Sequence, residues 1–240
     1  MTDGAATPAT FRCDSATRAL VRLAARIANG TEEDVREALR ETTSAGTSAA
    51  WVEEVMLQSY LFCGFPRAIN AWRVLRDEGG GVRVLGDEWG GGRSAGARDG
   101  GTGGVLGAGD ELEHLARGEV TCAAVYGSFY APLRRSIRAL HPLMDEWMVI
   151  EGYGKVLSRP GLDLGRRELC IIAACVASGQ ERQLHSHLHG ARNVGVPDET
   201  ISQSIEALAG TVDDAHLASA RAMWVKVSGT RADGRTNHSE

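Results

Sequence analysis

The feature that most constrains the fold is an internal repeat. Residues 18–52 align with residues 167–201 without a gap, at a constant offset of 149. Self-similarity at a fixed offset is typical of duplicated structural units. We therefore expect two copies of one unit that cover each other as a pseudo-dimer, as the subunits of a homodimer do. The identical pairs are Arg18 and Arg167, Leu20 and Leu169, Ala24 and Ala173, Ala25 and Ala174, Gly30 and Gly179, Glu32 and Glu181, Leu39 and Leu188, and Gly46 and Gly195.

Each copy has the pattern of a helical hairpin. In the first copy, apolar residues recur at helical spacing up to Gly30, which suits a helix end, and Thr31 with Asp34 forms a cap for a second helix. Further helices are predicted after Ser48 and around Pro66. No segment alternates convincingly as a strand does. The sequence therefore predicts an all-α fold of tandem helical hairpins.

The second copy repeats this plan and ends with the helix DDAHLASARAMWVKV. Ahead of the repeated part, the segment PLRRSIRALHPLMDEWMVIEGYGKVL predicts two more helices. The second of them begins near Pro142 and carries Leu143, Trp147 and Ile150 on one face.

A tract that is nearly half glycine, residues 79–109, separates the copies. It has too few apolar residues to offset its ordering entropy, so it is predicted to be a flexible linker. The expected organisation is a disordered N-terminus at 1–14, a first copy at 15–78, the linker at 79–109, a second copy at 110–228 and a disordered tail at 229–240.

Composition excludes several classes of partner. The net charge of -5 and the pI near 5.8 provide no basic stripe, so we expect neither nucleic acid nor an anionic membrane as a partner. A small-molecule substrate fits better. No apolar run approaches the ~20 residues that span a bilayer. The start, MTDGAATPAT, lacks the basic and apolar regions of a signal peptide, so a cytoplasmic protein is expected.

The cysteines do not form a recognisable framework. They are odd in number and scattered, and no two form C-x-x-C, which argues against disulfides and against a zinc site. They are Cys13, Cys63, Cys122, Cys170 and Cys175.

Three histidines stand together in QERQLHSHLHGARNVG, residues 180–195. On a helix, His187 borders the apolar arc, whereas His185, His189 and Arg192 point to the opposite side. The i, i+4 pair of His185 and His189 has the spacing of metal ligands, but no third ligand accompanies it, so two surface histidines are the preferred interpretation and no metal is expected. Taken alone, His187 fits a core-edge histidine bonded to a backbone carbonyl better than a catalyst.

Glu168 is a carboxylate beside the apolar run LCIIAACV. It has two interpretations. It pairs with Arg166 or Arg167 at the start of its helix, where it also suits the helix dipole. Alternatively, an antiparallel hairpin brings it close to His187, which would make an acid/base pair.

The segment from Tyr153 to Ile201 resembles the carboxymuconolactone decarboxylase family. The resemblance rests on RPGL at residues 159–162, REL at 167–169, and a helix in which His187 stands eight residues before Gly195. In the first copy, EEVMLQSYLFCGFPRAINAW resembles a later segment of that family, with Tyr60, Gly64 and Pro66 in a Y-x-x-x-G-x-P pattern. The family is all-helical and oligomeric, so the resemblance implies a homo-oligomer.

The family includes a decarboxylase of protocatechuate breakdown and thiol peroxidases similar to alkylhydroperoxidase D. The peroxidases place C-x-x-C just before the family histidine, where this sequence has Gln180 and Gln183. A dithiol relay is chemically unavailable there. The resemblance thus favours the decarboxylase branch. A thiol-based redox protein that uses Cys63, Cys170 or Cys175, or a non-catalytic member, remains the alternative.

The two copies differ in the residues that the resemblance makes important. The first copy has Ala19 and Ala38 at the positions of Glu168 and His187, so only one acid/base pair is expected. The second copy in turn lacks the pattern from Tyr60 to Pro66. We therefore expect one composite site, in which the helix of His187 faces the segment 60–66 and Tyr60 lies near His187.

The resemblance implies decarboxylation of a small carboxylated lactone, in aromatic-compound breakdown, without a metal or an organic cofactor. In this interpretation His187 transfers the proton, and Glu168 sets its tautomer or shares its proton. Arg159 and Arg167 are the candidates to bind the substrate carboxylates, and Tyr60 donates a hydrogen bond from the first copy.

Overall fold

The computed structural model describes residues 11–79 and 108–229. Every regular element in these two ranges is helical, so the predicted all-α fold is confirmed. Nearly all of the predicted linker, residues 1–10 and the tail from residue 230 lie outside the described residues. Within the described part of the predicted N-terminal segment, Cys13 is buried and the side chain of Asp14 caps the first helix.

The first copy consists of four helices, α1 (Ser15–Asn29), α2 (Glu32–Ser44), α3 (Ala49–Gln58) and α4 (Tyr60–Asp77). The predicted capping box is present, since Thr31 and Asp34 each bond to the other's backbone N–H. Within α4, Gly64 has φ 77° and ψ 162°, which is not helical. The glycine therefore interrupts α4, and its long regular part starts around Pro66, as the proline predicted.

The second copy repeats these elements as α8 (Leu164–Ala177), α9 (Glu181–Asn193), α10 (Asp198–Glu206) and α11 (Asp214–Gly229). The helices α8, α9 and α10 each begin 149 residues after α1, α2 and α3. Likewise, α11 begins 149 residues after Phe65, which directly follows the break in α4. The offset found in the sequence thus holds for the whole four-helix unit.

The two copies pack against each other mainly through α1 and α8, which are equivalent helices. Their buried apolar side chains share one core, and Asn29 donates to the carbonyl of Ala177 over 2.9 Å. This arrangement confirms the predicted pseudo-dimer of tandem hairpins.

The predicted second copy, 110–228, also included a helical segment that precedes the four repeated helices and has no counterpart in the first copy. It consists of α5 (Ala108–Tyr126), a 3₁₀ turn (Gly127–Phe129), α6 (Tyr130–Leu140), α7 (Pro142–Trp147) and a π-helix (Met148–Leu157). The sequence predicted α6 and a helix from Pro142, but not α5. The helix α5 and the π-helix cross closely at Gly118 and Gly154. Only glycine fits at these positions, because a β-carbon at either one would overlap the facing backbone. Of these two helices, α5 packs on α9, and so it positions the site.

The arm formed by α6 and α7 is held by one buried carboxylate. Asp145 accepts hydrogen bonds from Arg134 and Arg138, and its side chain is fully buried. The apolar face predicted for this region is exposed at Leu143 and Trp147, together with Leu140. The described residues leave 42% of Leu143, 53% of Trp147 and 78% of Leu140 exposed. None of the described helices has the length and apolar character needed to cross a membrane.

Candidate functional site

The structure brings Glu168 and His187 together. They lie on the two helices of the α8–α9 hairpin, and His187 Nδ1 is 2.8 Å from Glu168 Oε2. Both side chains are buried, with exposed fractions of 0% for Glu168 and 4% for His187. A carboxylate that accepts from Nδ1–H fixes the tautomer and leaves Nε2 for proton transfer. The alternative pairing of Glu168 is not observed, since Arg166 pairs with Asp163 and Arg167 with Glu54.

Gly190 provides the space that this pair needs. A β-carbon at position 190 would lie 2.6 Å from Glu168 Oε2 and 2.8 Å from Val125 Cγ1. The other carboxylate oxygen, Glu168 Oε1, is buried and has no hydrogen-bond partner among the described residues. An acceptor without a partner is costly in a protein interior, so this oxygen can receive a proton or a donor group.

Aromatic side chains surround the imidazole. The ring of Phe62, from the first copy, meets His187 edge-on with centroids 5.7 Å apart. The ring of Tyr126, from α5, lies 6.4 Å away at 55°. Tyr153, from the π-helix, packs in turn against Tyr126 at 6.0 Å. The site therefore contains residues of both copies and of the segment between them.

The segment 60–66 does contact the His187 helix, but through Phe62. Tyr60 stacks on Phe65, with ring centroids 4.7 Å apart and nearly parallel planes. Burial raises the pKa of Tyr60, and so does the nearby charge of Glu151. The hydrogen-bonding role predicted for Tyr60 has no support in these contacts.

The structure gives Arg167 a structural role in place of the predicted binding of a substrate. Its guanidinium is fully buried and donates to Glu54 (2.8 Å), Gln58 (3.2 Å) and the carbonyls of Leu162 (3.1 Å) and Arg159 (2.8 Å). Arg159 also donates to Glu54, at 3.0 Å. These contacts give no support to substrate binding by Arg167, because Glu54, a buried carboxylate from the first copy, requires a buried cation. Arg159 shares that carboxylate.

The cysteines lie in places that suppress thiol chemistry. All five are free, and the thiols of Cys122, Cys170 and Cys175 are buried. Burial raises the pKa of each of these three thiols to about 12. Gln180 and Gln183, at the positions of the peroxidase thiols, are exposed. A thiolate nucleophile is thus strongly disfavoured at the three buried cysteines.

The other two histidines lie on a separate face of α9. His185 is exposed and its ring centroid is 4.9 Å from that of His189. Both line a cleft of about 400 Å³ against α11, and partial burial, with His185 nearby, lowers the pKa of His189. Within the described ranges, no three or more His, Cys, Asp or Glu side chains are arranged to hold a metal ion.

The helical arc predicted that Arg192 points to the same side as these histidines, but in the structure it does not face solvent with them. It is buried beneath α11, donates to the carbonyl of Val227 over 2.6 Å, and pairs with Asp198 at 3.0 Å. The prediction considered one helix alone, and α11 covers that part of α9.

Three residues of the site were missed from the sequence: Phe62, Tyr126 and Tyr153. Phe62 lies inside the segment that was predicted to face His187, and it is Phe62, not Tyr60, whose ring meets the imidazole. Tyr126 could not be placed because α5 was not predicted. Tyr153 stands at the start of the segment that carries the resemblance, but the π-helix that directs it into the core has no sequence signature.

Comparison with known proteins gives one family. The model of the carboxymuconolactone decarboxylase family matches residues 11–77 and 144–226, which cover the two four-helix copies except for the end of α11. The matched segments contain Glu168, His187, Phe62 and Tyr153 but exclude Tyr126. A search of curated proteins finds no match to this chain.

Proposed function

Because the chain belongs to the carboxymuconolactone decarboxylase family, we propose that it is an enzyme that decarboxylates a small carboxylated lactone of aromatic-compound breakdown, without a metal or organic cofactor. The observation that supports this proposal is the buried contact of 2.8 Å between Glu168 and His187. The family also contains peroxidase-like members, so the choice of reaction rests on the site.

In the proposed reaction, the bond between the substrate carboxylate and the lactone ring breaks, and carbon dioxide leaves. The bonding electron pair stays in the unsaturated lactone as a dienolate. Protonated His187 donates the Nε2 proton to a ring carbon, which completes the product. Glu168 stabilises the charged imidazolium through Nδ1–H, and a proton from water then restores His187.

The alternative reaction, reduction of a peroxide by thiols, has weaker support. It needs a thiolate within reach of the acid/base pair. Burial raises the pKa of the Cys122, Cys170 and Cys175 thiols to about 12, and Gln180 and Gln183 stand where the peroxidases have cysteines.

We further propose that the protein acts in the cytoplasm as a homo-oligomer. Free cysteines are typical of a reducing compartment, and all five are free.

The helices α6 and α7 present an exposed apolar face that suits a second copy of the chain. This face consists of Leu140, Leu143, Met144 and Trp147. Trp147→Glu should lower the mass found by light scattering, and an unchanged mass would argue against this face.

The experiment that tests the proposed function is a decarboxylation assay. Protein treated with a chelator is offered carboxymuconolactones, and carbon dioxide release and loss of the substrate are measured. Turnover in D₂O should place one deuterium on carbon in each product molecule. His187→Ala should lower the rate by ~100-fold or more, while His185→Ala, on the outer face of the same helix, retains it. No turnover by the wild type, or equal turnover by His187→Ala, would refute the proposal.

A further inference from the structure

We propose that Tyr126 is a catalytic residue of this site: its hydroxyl donates a hydrogen bond to the oxyanion that forms as carbon dioxide leaves. This inference rests on the proposed function. Tyr126 lies outside both segments that the family model matches. It is therefore a contribution of the segment between the two copies.

The end of α5 is fixed against the helix of His187. Val125 packs beside Gly190, where only a glycine leaves it room. The carbonyl of Val125 accepts a hydrogen bond of 2.8 Å from the amide of Asn193, the last residue of α9. These contacts hold the next residue, Tyr126, with its ring centroid 6.4 Å from that of His187.

Tyr153 holds the ring of Tyr126 in place. The two rings meet edge to face, at 71° and with centroids 6.0 Å apart. The side chain of Tyr126 is not fully buried, so its hydroxyl can donate a hydrogen bond to a substrate. Tyr153 is itself buried and lies on a π-helix, an element that is frequent at functional sites.

The surroundings keep Tyr126 protonated. Burial raises the pKa of its phenol, and the nearby charge of Glu168 raises it further. A phenol with a raised pKa acts as a donor at neutral pH and not as a base. The site needs such a donor, because Glu54 holds the guanidinium groups of Arg159 and Arg167.

As the bond to the carboxylate breaks, its electron pair moves into the ring, and negative charge collects on the lactone carbonyl oxygen. That oxygen accepts a hydrogen bond from Tyr126, which keeps its proton throughout. His187 then supplies a proton to the ring carbon, and the electron pair on oxygen re-forms the C=O bond.

The test uses p-nitrophenolate, a planar oxyanion whose visible absorbance reports its ionisation state, with the full chain. The wild type should bind it in the ionised form. Tyr126→Phe should weaken binding by ~10-fold or more, as expected for loss of a hydrogen bond to a charged group. Tyr153→Phe should weaken it less, because Tyr126 remains. Tyr130→Phe is the matched control, since the Tyr130 hydroxyl accepts from Arg134 in the α6–α7 arm. Equal melting temperatures show that each variant is folded.

Two results would overturn the inference: failure of the wild type to bind the ionised probe, and equal binding by Tyr126→Phe. Binding requires no turnover, so the two proposals can fail separately. If the wild type binds the probe through Tyr126 but decarboxylates no lactone, the role of Tyr126 as an oxyanion donor is supported and the proposed reaction is refuted. Where turnover is found, Tyr126→Phe should lower kcat more than it raises KM, because the oxyanion exists only after bond cleavage begins.

Discussion

Gly190 and Glu168 approach so closely that a β-carbon at position 190 would lie 2.6 Å from Glu168 Oε2. The carboxylate that binds His187 thus occupies the space that any other residue at position 190 would fill. Glycine within a helix costs up to about 1 kcal/mol relative to alanine. That cost is offset by the position it allows for Glu168.

Gly190→Ala should therefore lower activity by ~10-fold or more, because the new methyl group displaces the Glu168 carboxylate from His187. Steady-state decarboxylation kinetics measure the loss. Gly152→Ala is the matched control, since a β-carbon there meets no atom within 4 Å. Full activity in Gly190→Ala would show that the contact is not needed.

Removal of the Arg167 guanidinium should affect stability and not substrate affinity. Arg167→Gln leaves Glu54 buried with Arg159 as its remaining cation, which should cost about 3 kcal/mol of unfolding free energy. Denaturant unfolding measures this change, and KM of the folded fraction should stay within about twofold of the wild type. A large rise in KM with unchanged stability would restore the substrate-binding role.

The thiols should be unreactive in the native protein. With a pKa of about 12, roughly one in ten thousand molecules carries a thiolate at pH 8 at each of Cys122, Cys170 and Cys175. A thiol-specific reagent should label the half-buried Cys63 first, and all five cysteines only after unfolding. Cys63→Ser should retain decarboxylation. Rapid labelling of Cys122 or Cys175, beside Glu168, would instead favour the redox alternative.

The α6–α7 arm should loosen in acid. Arg134 and Arg138 hold the pKa of Asp145 below its ordinary value of 3.8. A lowered pKa means that the stabilisation is complete above that ordinary value and is lost as pH falls through the lowered one. The protection factors for hydrogen exchange in residues 130–147 should fall over that range. In Asp145→Asn, the protection factors of these residues should already be lower at neutral pH. The loss should correspond to about 2 kcal/mol of the free energy of local opening. A wild type whose exchange in the arm matches that of Asp145→Asn at neutral pH would contradict this account.

The repeat made much of the fold predictable. Thr17 and Arg166 stand at equivalent positions, 149 residues apart, and their side chains share a hydrogen bond of 3.1 Å. Contact between equivalent residues is expected near a pseudo-twofold axis, so an offset in the sequence already indicated a pseudo-dimer. The pairing of Glu168 with His187 was accessible because both residues lie within one hairpin, whose geometry follows from helix periodicity.

The remainder depends on contacts between distant segments. The pairing of Arg167 with Glu54 was not foreseen, because Glu54 lies in the other copy and has no local signature. Tyr126 was missed because its helix follows the glycine tract and has no clean apolar stripe. The sequence predicted Tyr60, and not Phe62, as the residue near His187. The direction of a side chain next to a helix break such as Gly64 does not follow from sequence spacing.

The most direct test of the central claim, that Glu168 and His187 act as one acid/base unit, is a double-mutant cycle on decarboxylation. The rates of the wild type, Glu168→Gln, His187→Ala and the double variant are compared. If the carboxylate works through the imidazole, the double variant should be no slower than His187→Ala alone, within about twofold. If the fold-reduction in rate of the double variant equals the product of the fold-reductions of the two single variants, the residues act independently. That result would contradict the acid/base pair.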